Sequence, residues 1–122
     1  RSMALMLERM AALSEKHGGD LPMVLMGDMN APPQERCVAM LSDAGANTVG
    51  LRDGFERLRD LAGERLTFHA FQGGVQGEPI DYVFHTNHFE PLSVIIDRRL
   101  VNGRYPSDHY PVVMETVYGD RT

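Results

Sequence analysis

Met23-Val24-Leu25-Met26-Gly27-Asp28-Met29-Asn30 is a short apolar run that breaks at a glycine and ends in an acid and an amide. A continuous apolar stretch of this length reads as a strand buried on both faces, and polar groups just beyond a strand end lie where α/β folds commonly assemble sites. Upstream, Met3, Met6, Leu7, Met10 and Leu13 recur at three- and four-residue steps until Gly18-Gly19 supplies a stop. That spacing predicts an amphipathic helix with one buried stripe. Downstream, Pro32-Pro33 stands where a second helix can begin, continued by Glu35, Val38, Ala39, Met40 and Leu41 as far as Gly45.

The stretch from Thr48 to Arg65 reads as loop with one or two short turns, because its apolar spacing is diluted by many charges. Thr67-Phe68-His69-Ala70-Phe71 is rich in β-formers and predicts a short strand, followed by a Gly-rich loop from Gly73 to Pro79. Ile80 to Phe84, Leu92 to Ile96 and Tyr110 to Val117 complete the strands, the last two separated by Asn102-Gly103 and Pro106. Most connections between these strands are too short for crossover helices. The chain is therefore expected to be α+β, with a mixed, mainly antiparallel sheet and helices on one face.

At 122 residues the chain has the size of one domain, residues 1–122, able to bury a core without disulfides or a structural metal. Cys37 is the single cysteine, so neither an internal disulfide nor a zinc knuckle is available. A lone cysteine does not separate a cytoplasmic protein from an exported one. The formal net charge of -5 argues against a domain that relies on broad attraction to phosphate backbones, so an anionic substrate needs a metal. No apolar run approaches the length that spans a bilayer.

Three polar clusters stand at strand ends: Gly27-Asp28-Met29-Asn30, Asp81 within Ile80-Asp81-Tyr82, and Ser107-Asp108-His109. Each alone has an ordinary reading. Asp28 caps a turn, Asp81 holds a neighbouring backbone, and Ser107-Asp108 turns the chain before the last strand. His69, in the Thr67-Phe68-His69 segment, is a further candidate, although an isolated strand histidine serves equally as a core or surface residue. His17 complements a helix C-terminus, and His85 and His88 flank a turn without ligand spacing. The eight methionines fall on helix stripes and strand cores, where they fill space.

Taken in order, Gly27-Asp28-Met29-Asn30, Ile80-Asp81-Tyr82-Val83-Phe84 and Ser107-Asp108-His109-Tyr110-Pro111-Val112 resemble the endonuclease/exonuclease/phosphatase (DNase I-like) family. Thr67-Phe68-His69 is similar to a short motif of one bacterial branch. The resemblance covers essentially the whole chain. It implies a four-layer α/β sandwich built of two similar halves, of which this chain is the C-terminal one. It also implies hydrolysis of a phosphodiester or phosphomonoester with Mg2+ or Mn2+.

By that resemblance, Asp28 orients or deprotonates the attacking water and counts as a metal ligand beside Asp108, since hard oxygen donors suit such ions. Asn30 holds a phosphate oxygen through its side-chain amide. His109 contacts the phosphate, and Asp81 accepts a hydrogen bond from its other ring nitrogen, fixing its orientation and favouring its charged form. His69 completes the candidates.

The family's upstream Asn, metal-binding Glu and His or Tyr motif have no counterpart in this chain. The expectation is thus a fragment, inactive by itself, whose open sheet face is covered by the missing N-terminal half or by self-association. The rival reading is a non-catalytic binding module that keeps the same fold.

Overall fold

The computed structural model describes residues 2–119; residues 1 and 120–122 of the expected domain lie outside them. The first element, α1 (Ser2–Lys16), buries Met3, Leu7 and Ser14 and half-buries Met10. This stripe is narrower than the apolar spacing predicts. Met6 and Leu13 are each 46% exposed, because at 3.6 residues per turn they fall roughly a quarter-turn off the stripe's centre and α1 packs on one side only. Gly18 and Gly19 end the helix at φ +93° and +84°, a region closed to most side chains.

The central strand is β3 (Asp81–His85), flanked on one side by β1 (Val24–Asp28) and on the other by the two-residue β2 (Arg52–Asp53), all antiparallel. A second antiparallel pair joins β4 (Phe89–Ile96) to β5 (Val112–Tyr118). The α+β class and its antiparallel character stand, but the strands form two small sheets rather than one. One core joins Met3 and Leu7 of α1 to Val38 and Leu41, Phe55, Tyr82 and Phe84 of β3, and Val94 and Ile96 of β4. The Tyr82 hydroxyl reaches two carbonyls, of Ala31 at 2.7 Å and Pro79 at 2.9 Å, and thereby ties the β1 and β3 loops together inside that core.

Several expectations are corrected. β1 is an edge strand rather than one buried on both faces: Val24 is 41% and Met26 70% exposed, while Leu25 on the opposite face packs against the core. The second helix does not run from Pro32 to Gly45. It is a single turn, α2 (Arg36–Ala39), continued by a 3₁₀ turn at Met40–Ser42. Pro33 disfavours the α conformation at Pro32, and Glu35 is itself still extended, so the helix starts only at Arg36.

The Thr67–Phe71 segment is not a strand. Its single bridge runs from Phe68 to His109, and Ala70 and Phe71 turn away at φ +52° and +64°. β4 begins three residues before Leu92 and crosses Pro91, which a register shift between Pro91 and Ser93 accommodates. β5 begins after Tyr110, since Pro111 has no N–H for a ladder bond. The loop between Thr48 and Arg65 holds, with β2 and a 3₁₀ turn at Gly54–Arg57 inside it.

Candidate active site

The β1–β3 register carries the site. Asp28 lies directly opposite Asp81 at the end of the ladder, and paired residues of antiparallel strands present their side chains to the same face. The loop before β5 brings His109 to both. Its Nδ1–H donates to Asp81 Oδ2 at 2.8 Å, while Nε2 stands 3.9 Å from Asp28 Oδ2 and 3.9 Å from Asp108 Oδ1. The His109 ring is therefore oriented by one carboxylate and faces two others.

These charges set the protonation of His109. Its pKa is raised above the ordinary imidazole value, first by the hydrogen bond to Asp81 and then by the charges of Asp81, Asp28 and Asp108, against an opposing contribution from burial. The ring is thus biased towards the form in which both nitrogens donate. Phe68 covers one side of it, with ring centroids 5.1 Å apart.

Local turns hold each side chain in place. Asp28 Oδ1 accepts the backbone N–H of Asn30 at 2.8 Å, a turn that puts Asn30 at φ +50°. Ser107 Oγ accepts the N–H of His109 at 3.1 Å. The Asp108 carbonyl accepts the N–H of His69 at 2.8 Å and Tyr110 N–H donates to the Thr67 carbonyl at 2.7 Å, so segment 67–69 straps the loop that carries His109.

The sequence candidates thus separate. Asp28, Asp81 and His109 form one cluster whose potential ligand atoms lie within 4.8 Å of one another, with Asp108 at its edge. Asn30 meets it through its backbone, and its exposed side chain points to no partner among the described residues. His69 stands apart. Its buried ring stacks on Tyr110 at 4.0 Å and lies 4.6 Å from Tyr105, with neither nitrogen hydrogen-bonded. It shares with His109 the wall of a cavity of about 250 Å³ beside the cluster.

The sequence reading gave Thr67 only the weight of its motif, yet the residue is fully buried and its hydroxyl accepts the N–H groups of Ile80 (3.0 Å) and Asp81 (3.3 Å). A lone threonine among β-formers carries no signal that would single it out.

The donor set fits a hard divalent cation. Three carboxylates outnumber one imidazolium around the cluster, and Asp28 and Asp108 keep oxygens partly exposed, whereas Asp81 is committed to His109.

Comparison with known proteins agrees with this geometry. Among solved structures, a mannosyl-6-phosphatase of Bacteroides thetaiotaomicron superposes with a TM-score of 0.73 at 28% identity, covering 96% of this chain and 45% of that one. An endonuclease/exonuclease/phosphatase family protein from the same organism gives 0.71 at 26%, covering 97% and 44%. The human Nocturnin catalytic domain, solved with sulfate, shares the fold at 21% identity and a TM-score of 0.65, covering 93% and 38%. The chain spans less than half the length of these structures. No curated protein matches it in sequence. The family model for endonucleases, exonucleases and phosphatases matches residues 1–109, most of the chain. The chain belongs to the endonuclease/exonuclease/phosphatase family.

Proposed function

We propose that this chain carries the His109 half of the active site of a phosphoester hydrolase that depends on Mg2+ or Mn2+. The observation that carries the reading is the double engagement of His109, which is held at 2.8 Å by Asp81 and turned towards Asp28 and Asp108. A protonated imidazole so placed stabilises charge on a phosphate oxygen, and Asp81 keeps it oriented and charged. Asp28 aligns or deprotonates water on the same face, and the Asn30 amide, without another partner among the described residues, holds a non-bridging oxygen without adding charge. Asp28 and Asp108 would hold the cation, which when bound supplies further charge stabilisation and a more acidic water. With so few protein ligands, much of its coordination is left to water.

The chain by itself is expected to be inactive. Val24 and Met26 leave the β1 face open beside Asp28, and a second half-domain of the kind its longer structural neighbours contain, or failing that a second copy, is the partner this face fits.

The test is hydrolysis of a chromogenic phosphodiester and monoester, with and without Mn2+, by this chain alone and by the chain extended with such a half-domain. Turnover confined to the extended, metal-loaded form is the expected result. Turnover that survives exhaustive chelation, or survives His109→Ala, refutes the reading.

A further inference from the structure

Asp81 and His109 come from segments 28 positions apart, and nothing in either strand end obliges them to meet. One residue touches the backbone of Asp81 and of Tyr110, the neighbour of His109. The Thr67 hydroxyl accepts the N–H groups of Ile80 and Asp81, where β3 begins, at 3.0 and 3.3 Å. Its carbonyl accepts the N–H of Tyr110, the residue after His109, at 2.7 Å. The next residue, Phe68, bridges His109 itself and lays its ring against the imidazole. Thr67 is 0% exposed, so bulk solvent does not reach its hydroxyl.

From this geometry we infer that Thr67 is a positioning residue for the Asp81–His109 pair: its side chain sets the backbone under Asp81, its main chain sets the loop under His109, and the 2.8 Å contact follows. The side-chain half of this arrangement is not replaceable by shape alone, whereas any residue at the position supplies the carbonyl. A valine would fill the same volume but could not accept the two amides, so the start of β3 would reorganise to find other partners. A serine would keep the acceptor and lose only a methyl group. The inference rests on the proposed hydrolase reading for its catalytic meaning, but not for its structural test.

That test is the tautomer of the neutral His109 ring, read from long-range proton–nitrogen-15 correlations of the labelled chain at alkaline pH. With Asp81 accepting from Nδ1, the parent chain is expected to hold the Nδ1–H tautomer, which free imidazole does not favour. Thr67→Ser should keep it and Thr67→Val should shift the ring towards the Nε2–H form. An unchanged tautomer in a folded Thr67→Val chain, or absence of the Nδ1–H form from the parent, overturns the inference. If the valine variant does not fold, Thr67→Ala, which also lacks the acceptor and buries no methyl group against the two amides, is read by the same criteria.

In the preparation that turns over, Thr67→Val should lower kcat about a hundred-fold, the scale of an ångström's misplacement, with KM near the parent value and recovery in Thr67→Ser. Absence of turnover in the parent would sink the hydrolase reading and leave the tautomer result to decide this one.

Discussion

The same two strands end in a histidine–aspartate contact at each extremity, and the two contacts are equally short. At one end His109 meets Asp81 at 2.8 Å; at the other, beyond His85, His88 meets Asp20 at 2.8 Å. The rings differ in what their second nitrogen does. His88 Nδ1 is taken by Thr86 Oγ1 at 2.8 Å, and Thr86 in turn accepts the N–H of Met23, so the whole set clamps the β3–β4 turn to the start of β1. Among the described residues His109 Nε2 has no such partner and instead faces Asp28 and Asp108 at 3.9 Å each. A short His–Asp contact is therefore not a site. The candidate site is the end where the remaining nitrogen faces converging carboxylates.

The largest expected effect separates the two ends by turnover. In the form that hydrolyses phosphoesters, His109→Ala should cost about 10²–10⁴-fold, the range for a positioned acid–base group. His88→Ala should leave turnover at the parent level, and equal losses at both ends would break the comparison. Stability should respond the other way round. Thr86→Val removes the acceptor used by Met23 and His88 and should cost about 1–3 kcal/mol in urea denaturation while turnover persists.

A smaller effect concerns pH. Because folding raises the His109 pKa, its contribution to stability is fully present below the unfolded value near 6.5 and is lost as pH rises through the folded value. Denaturation midpoints followed from pH 5 to 9 should show this decline in the parent and little of it in Asp81→Asn. No difference between the two would mean that Asp81 does not govern the ring.

The smallest effect lies at the far end, where burial raises the pKa of Asp53 against the opposing hydrogen bond from Phe55 N–H. A raised carboxyl lowers stability above the unfolded value, so Asp53→Asn, which keeps the acceptor and loses the charge, should stabilise slightly at neutral pH. That gain should disappear in acid, as thermal melts at the two pH values would show.

Much of this molecule was legible before any coordinate. Local chemistry sufficed for α1, β3 and the loops after Thr48 and Gly73, because helical spacing, β-formers and glycines act over a few residues. It misled where the outcome depended on a distant partner. Met23 to Met26 carries the same apolar run whether β1 is central or at an edge, and Thr67 to Phe71 looks like a strand although among the described residues only His109 pairs with it. The helical spacing after Pro33 likewise gives no sign that Glu35 stays extended and that α2 ends at Ala39.

For the site the division is similar. The order of Asp28, Asn30, Asp81, Asp108 and His109 along the chain, and with it the family, was legible in the sequence alone, because a motif is a set of residue types in order. Only the tertiary structure decided that Asp28 faces Asp81 across one rung, that His109 spends one nitrogen on Asp81, that His69 stacks on Tyr110 outside the cluster, and that Thr67 lies beneath the pair. Those facts depend on strand register and on backbone hydrogen bonds between segments far apart in the chain, which no local pattern of side chains encodes.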